Sequence, residues 1–535
     1  MTFGPVAGAS IAALAFGITN TGPISSFTAE TARIEPSVWL VEIATNSTTV
    51  AVSDRGWIQE PGDTGAIAKY PPRLLEPPAI ELQVPIYPSR ERRVAVQAGE
   101  LLLANGDGGL DSLGGNWAIA GRTATIYRAP HRRPTHAARS TWETVATLRT
   151  AAAFGGTQQL RMPLRSGAPD LAEAICNTYS GAGGINGDPQ LAGQNKPRLF
   201  GLVRNLAPVQ IDAIAHIFQI NDGAMSQVLA VRDMGNALNF AGDVASFSAL
   251  QSATMADGTY RTCLATGHIR VGGVPIRLTV DARGSTGSGG YPATAGALAA
   301  QIINTYTATT TTAAAFGGWR AAEAGIYLRG GTVADALDRL AAGLATAWWG
   351  TDVAGNWTGG TLVAPEVQGT GLALGPSSLA QPPEEVPSTS PPWWSASVGY
   401  QRLDVVQSGG DLVSVVSAAD RDYYGRQQRT ATATDRTVRT AYPLAVDGEE
   451  VPGVLDGAGE AAAVAADMLA LFKVPRRAWV VRLGANTGRI RWWDLSLGTP
   501  VRLTWPYVTA LASGKTLLVR SISARGDAAE LELWG

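Results

Sequence analysis

Residues able to coordinate, attack or stack are few and scattered in this chain. The segment Asn105-Gly106-Asp107-Gly108-Gly109-Leu110-Asp111 sets side-chain oxygens at short intervals, the pattern by which a loop can wrap a calcium ion. The EF-hand form needs glycine at the sixth position and a late glutamate, and Leu110 stands at the sixth, so a turn between strands is the favoured reading. His131 and His136 have a spacing met in zinc fingers, but no cysteine pair precedes them. The sequence HRRPTH that they bracket is a small basic cluster, read as a solvated loop in preference to a phosphate or lipopolysaccharide contact. His216 and His268 complete the set of 4 histidines, and none falls in an H-E-x-x-H motif. The 2 cysteines, Cys176 and Cys263, exclude a multi-bridge framework, a four-cysteine zinc site and a four-cysteine iron-sulfur cluster. Cys263 has apolar neighbours on a strand and reads as a buried thiol, not a nucleophile. Asp222 has no partner carboxylate nearby, so Asn221-Asp222-Gly223 reads as a hairpin turn. Of the tryptophan pairs, Trp348-Trp349 reads as core, whereas Trp393-Trp394 and Trp492-Trp493 could stack on glycans. No catalytic, cofactor-binding or metal-ligating residue is assigned, and no cofactor is expected.

The chain of 535 residues is long enough for about three or four domains. Lys+Arg at 42 against Asp+Glu at 44 gives a net charge of -2, so sequence-specific nucleic-acid binding is not implied. The charged fraction of 16% is low, and 62 glycines with alanine-rich runs take its place. That bias suits a surface covered by neighbours in an assembly and equally suits a Gly/Ala-rich proteome. Residues 3–16 are apolar but lack a basic leader region and are too short to span a bilayer. An assembly-tethered arm is the first reading there, then a disordered or a membrane-active segment; stable membrane insertion is not expected.

Residues that could do chemistry need elements to hold them, and the alternation SVWLVEIATNSTTVAV over residues 37–52 predicts a hairpin broken at Asn46-Ser47. Strands are expected over 82–87, 93–97 and 123–128, with shorter alternating runs over 140–164. Residues 170–178 suit one short helix. The glycine-rich loop of residues 179–201 runs into a strand over 198–205, and further strands are expected over 226–231 and 237–240. The pair Gly272-Gly273 suits a turn between strands over 267–271 and 275–280. Helices are expected over 295–306, from Thr332 with Asp335 in a capping box, and over 460–472. Residues 307–315 read as a linker, and 376–392 as a stiff proline-rich connector.

Five segments carry a resemblance. Residues 179–201, YSGAGGINGDPQLAGQNKPRLFG, resemble the "YAGTGG…GD.DLKGRPKP..FG" loop of tail-tip and baseplate proteins of long-tailed bacteriophages and gene transfer agents, with Lys196-Pro197 in place and Asn195 where arginine is expected. GELLLANGDGGLDSL, starting at Gly99, is similar to the "GEI.LANPDGGLD.L" signature of that family, and GTYRTCL from Gly258 to its "GTY.TCL" run. The unit from Thr332 through Trp348-Trp349 to Ala364 resembles a strand-helix-hairpin insert of hub proteins, and the last segment, from Leu497 to Gly535, the family's closing strands. Tyr70-Pro71-Pro72-Arg73-Leu74-Leu75 looks like a family link, and NDG at residues 221–223 stands where the family has "YQVHDG".

The resemblance implies a β-rich α+β multidomain chain with tandem β-barrel hub domains and smaller α/β inserts. It divides the chain into an arm (1–36), a first barrel (37–165), a β-rich second region (166–315), an α/β insert (316–375), a connector (376–396) and a C-terminal barrel (397–535). It implies a structural virion protein, not an enzyme: a hub at the tail tip or baseplate that joins tube to tip and gates DNA passage. The expected partners are two further copies in a homotrimer, the distal-tail protein and tail-tube end, tail fibre or spike proteins, and the tape-measure protein. A trimer can cap a hexameric tube only if each subunit offers two equivalent docking edges. The alternatives are a hexameric distal-tail or glycan-binding receptor protein, and a cell-wall hydrolase, which would need paired carboxylates or a Cys/His set.

Overall fold

The computed structural model describes residues 37–59, 62–63, 67–86, 92–115, 117–130, 138–155, 158–166, 171–287, 289–369, 371–387, 390–484 and 490–535. The expected N-terminal arm, His131 and His136 lie outside these residues. The fold is β-rich, with several sheets, one of them nearly closed and barrel-like.

The N-terminal sheet follows from period-2 alternation. Strand Ser37–Ala44 pairs with Thr49–Ser53 as a hairpin and, on its other edge, with Thr123–Pro130. Glu143–Thr150, Gln159–Arg165, Glu100–Ala104 and Leu74–Glu76 continue the order. In Gln159–Arg165, Leu160, Met162 and Leu164 are buried between exposed or partly exposed neighbours, and Leu160 and Met162 face Leu103 and Leu101 across the ladder. Ser37–Ala44 is buried on both faces. Trp39, Val41 and Ile43 enter the main core, while Val38 and Leu40 meet Trp57, Tyr70 and Ala129 on the other side.

The opposing sheet is built from the other end of the chain. Strands Pro500–Leu503, Lys515–Arg525, Ala528–Trp534 and Ala478–Leu483 form its centre. The early strand Ala79–Gln83 joins it, pairing Ala79 with Arg525 and Gln83 with Ser521, and brings Ala95–Ala98 with it. Leu101, Leu160 and Ile126 therefore share one core with Trp479, Val519 and Leu531. Polar ties cross the same seam: Asp527 accepts from Ser37 at 2.9 Å and from Arg128 at 2.6 Å.

This arrangement departs from the expected division. Strands Ala79–Gln83 and Ala95–Ala98, placed in the first barrel, belong to the C-terminal sheet, and the two sheets bury their faces against each other instead of each closing alone. The connector is drawn in too. Glu384–Val386 pairs with Ala478–Leu483, and Leu379 is buried in the shared core, because an edge strand must be covered or paired. Strand Trp393–Tyr400, which runs across the expected boundary between connector and C-terminal barrel, lies between Arg429–Thr434 and Val446–Val451 in a separate three-stranded sheet. Helix Ala458–Phe472 packs on that sheet, with Val464 and Met468 against Val398 and Leu337 in a second core.

The middle unit holds two five-stranded sheets. One runs Asn236–Ala237, Met225–Asp233, Leu278–Ser285, Arg198–Leu206, Gly325–Leu328, and the other Val209–Asp212, Ile217–Gln219, His268–Val271, Thr259–Cys263, Asn239–Asp243. Val203, Val231, Val280, Phe218 and Ile269 pack between them. Gly201 has φ +70, and a Cβ there would lie 1.9 Å from the Ala324 carbonyl oxygen, so no other residue fits that approach. Helix Ala295–Tyr306 forms where expected. Helix Val333–Ala342 starts with the expected capping box between Thr332 and Asp335, and both helices bury their apolar faces in the second core.

Two expected turns do a different job. Asn221-Asp222-Gly223 and Gly272-Gly273 link one sheet of the middle unit to the other instead of closing hairpins. The Asn221 side chain accepts from Leu199 N–H at 2.9 Å, so its turn chemistry fixes the corner between sheets. The expected helix over 170–178 is absent from the described part, residues 171–178. The carbonyls of Leu171 and Glu173 accept from Ala334 and Val333 N–H, each at 3.2 Å, so they are spent on the first turn of another helix. Residues 307–315 are tied down by Asn304, which bonds both faces of Thr311, and by Trp357, which donates to Thr309 at 2.9 Å.

Candidate functional sites

The glycine-rich loop of residues 179–201 is organised around a buried ring. Tyr179 is 1% exposed, and its hydroxyl donates to Gln219. Gly181 and Gly187 take φ +71 and +74, and a Cβ on either would come within 3.0 Å of its neighbours. Lys196 lies 5.5 Å from the Tyr179 ring centre and 3.9 Å from Asp222, whose other oxygen accepts from Asn177 at 2.8 Å. At Asn195, the departure from the family pattern, the side-chain amide donates to the Arg329 carbonyl at 3.0 Å. The motif's polar residues are thus used to lock the loop onto the middle unit.

Beneath the loop, Thr266 donates to Cys263 Sγ at 3.2 Å and lies 3.0 Å from His268 Nδ1. This is not a nucleophile set, because the histidine reaches the threonine and not the thiol. His268 is fully buried, and burial together with the Lys196 charge pulls its pKa down to about 3. Cys176 is buried as well, which pushes its thiol up and away from reactivity.

In the acidic segment the oxygens already have partners. Asp107 forms a fork with Arg73, which holds its carboxyl well below the usual range, and Asp111 accepts from Asn105 at 2.7 Å. Asn105 in turn accepts from Leu110 N–H at 2.8 Å, the pattern of a turn. Among the described residues no group of three or more His, Cys, Asp or Glu is arranged to hold a metal ion.

Trp348 and Trp349 are 7% and 0% exposed, and Trp349 donates to Asp338 at 2.8 Å. Trp492 is buried and donates to the Gly526 carbonyl at 2.9 Å, and Trp493 packs edge-on to Trp39. Neither pair presents a free stacking face. Trp394 remains partly exposed, beneath Arg439 at 4.9 Å. The large aromatic side chains open to solvent are elsewhere, including Trp117 and Tyr507 at 80% and 88%.

Sequence reading missed a polar junction between the middle unit and the three-stranded sheet. Asp281, 5% exposed, accepts from Asn205 N–H at 2.8 Å and Arg232 at 2.9 Å. Arg204 binds both oxygens of Asp456 at 2.8 and 2.9 Å. Beside them opens a cavity of about 120 Å³ lined by Arg204, Arg339, Arg402, Asp404 and Asp456. No local spacing signals it, since its charges come from segments far apart in the chain.

No protein-family model matches the chain, and no curated protein matches it. Solved structures similar to it include a tail protein from Neisseria meningitidis (TM-score 0.38, 9% identity, 93% of this chain and 96% of that one). Another is the 43 kDa tail protein of prophage MuSo2 from Shewanella oneidensis (TM-score 0.33, 9% identity, 93% and 96%). A third comes from the virion of a native gene transfer agent particle (TM-score 0.41, 14% identity, 64% and 84%). The overlap is loose at these scores, and the functional reading rests on the chain's own residues.

Proposed function

We propose that this chain is a structural component of a phage-type tail, the hub of the tip or baseplate that joins the tube to the tip and fibres and gates DNA passage. The observation that carries this reading is the run of five segments, in family order, from Gly99 to Gly535. The architecture agrees with it. A rigid adaptor needs a frame that does not open at its ends, and here both ends of the described chain close on one core. The loop of residues 179–201 spends its polar groups on positioning, as a scaffold segment should. On this reading the subunit works as a trimer, bound to the distal-tail protein, the end of the tube, fibre or spike proteins and the tape measure, with no covalent chemistry required.

The test is the mass of the purified chain in solution together with its symmetry by negative-stain imaging. A trimeric ring around a channel is expected. A hexameric ring would move the assignment to a distal-tail protein, and a monomer that binds host surface to a receptor protein. Turnover of purified peptidoglycan would overturn the structural reading in favour of a hydrolase.

A further inference from the structure

The cavity at the junction holds charge that the protein itself does not balance. Its lining comes from the middle unit (Arg204), helix Val333–Ala342 (Arg339) and the end of strand Trp393–Tyr400 with the residues after it (Arg402, Asp404). Arg204 is matched by the forked contact with Asp456. Asp404 accepts from Ala207 N–H at 3.3 Å and lies 3.7 Å from Arg329. Two guanidinium groups remain. Arg339 donates to the Tyr327 carbonyl at 3.0 Å, and among the described residues neither Arg339 nor Arg402 has a carboxylate within ion-pair distance.

Arg339 lies in the last turn of its helix, whose dipole favours a cation there but supplies no full counter-charge. The carbonyls of Arg339, Ala341 and Ala342 already accept from Gly343, Leu344 and Ala345 at 3.2, 3.1 and 3.0 Å. Burial and the neighbouring Arg402 draw the Arg339 pKa below the usual arginine value, with Asp404 opposing, so the two cations are close enough to repel. The backbone beside them is strained as well: Gln401, a non-glycine residue, takes φ 46°. Arg339 keeps part of its surface in solvent and Arg402 is half-buried, so the recess is open to small ions, and an anion between the two cations would offset their repulsion.

We propose that this cavity binds a small oxyanion of the phosphate or carboxylate class, held between Arg339 and Arg402. Guanidinium forks match both kinds of oxygen pair. A volume of about 120 Å³ is below the ~300 Å³ at which ligand pockets for larger molecules begin, which limits the occupant to a single anionic group. The inference stands independently of the tail assignment, since it uses only the junction's geometry.

Calorimetric titration of the intact chain with inorganic phosphate, and separately with glutarate, tests it in chloride buffers of constant ionic strength. Saturable binding of at least one anion is expected, weakened about tenfold or more by Arg402→Gln and by Arg339→Gln. The remote Arg73→Gln should leave it unchanged. Binding of phosphate alone identifies the free ion as the occupant, and binding of glutarate alone an acidic side chain. Arg402→Lys keeps the charge but loses the fork, and it too should bind more weakly if the glutamine variants fail to fold. Absence of saturable heat with both anions, or equal affinity in the folded variants and the parent chain, would overturn the proposal.

Discussion

The β body and the middle unit bury the same kinds of side chain but are assembled by opposite routes. In the β body, contacts join the two ends of the described chain: Ser37 and Arg128 meet Asp527, and Glu76 meets Arg525. In the middle unit every strand of both sheets falls between residues 198 and 328. A long loop costs only slightly more entropy to close than a medium one, so the first arrangement can be as stable as the second. It differs in dependence. The β body is complete only when the last strands are present, whereas the middle unit can close on itself. The difference suits a scaffold: the frame is fixed by the whole chain, and the inserted unit keeps its own core.

The strongest way to break this comparison is to hollow the shared core. Trp479 is 2% exposed and packs in that core, so Trp479→Ala should cost about 3–5 kcal/mol. Hydrogen exchange should then quicken in Ser37–Ala44 as well as in Lys515–Arg525, while Val231 and Val280 keep their protection. Faster exchange in the C-terminal strands alone would mean that the two sheets do not share a cooperative core.

The complementary variant is Asp281→Asn. It removes the charge that Arg232 contacts at 2.9 Å and that lies 3.9 Å from Arg204, and leaves Arg232 short of its carboxylate inside the junction while Arg204 keeps Asp456. A loss of about 3 kcal/mol is expected, at the lower end for breaking a buried pair. Exchange should quicken at Val280 and Leu206 but not at Val481. A loss spread evenly over both regions would show that they unfold as one.

A smaller effect depends on pH and belongs to the middle unit. The folded chain holds His268 neutral, with its pKa at about 3, while the unfolded chain releases it to about 6.5. Between these values the unfolded state binds the extra proton, so the contribution is harmless above about pH 6.5 and destabilises as pH falls toward 3. The slope reaches at most about 1.4 kcal/mol per pH unit. In urea denaturation from pH 7 to 4.5, His268→Gln should flatten the decline for the middle unit and leave that of the β body unchanged. An unaltered slope would show that His268 takes up its proton in the folded state.

What could be read from the sequence is what short stretches decide. The hairpin at residues 37–53, helix Ala295–Tyr306 and the Thr332–Asp335 cap depend on neighbours within a few residues, and all three form as expected. Sheet membership depends on distant partners. The strand expected over 82–87 forms earlier, at Ala79–Gln83, and nothing in its five residues names Lys515–Arg525 as its neighbour. Turn chemistry has the same limit, because Asn221-Asp222-Gly223 bends the chain equally well within a sheet or between two. The cavity was invisible for this reason too: Arg339 and Arg402 are ordinary surface residues in their own segments, and only the packing of helix against sheet brings them together.

The finest test compares two helix starts within one layer. Thr332 accepts from Asp335 N–H at 3.2 Å, and Asp335 returns the bond to Thr332 N–H at 2.8 Å. The same helix receives a second set of acceptors from Glu173 and Leu171, supplied by the segment that fails to be helical. At helix Ala295–Tyr306, Thr294 accepts from Ala297 N–H at 3.4 Å, without a reciprocal capping box. An N-cap threonine replaced by alanine typically costs about 1 kcal/mol. Thr332→Ala should lose less than that, because Val333 and Ala334 N–H keep the carbonyls of residues 173 and 171 and only the Asp335 N–H loses its acceptor, and Glu173→Ala should not add to it, since a backbone carbonyl does the work. Denaturant midpoints for the two threonine variants decide the matter. If Thr332→Ala proves costlier than Thr294→Ala, the side-chain box outweighs the docked segment, and the segment's lack of helix needs another cause.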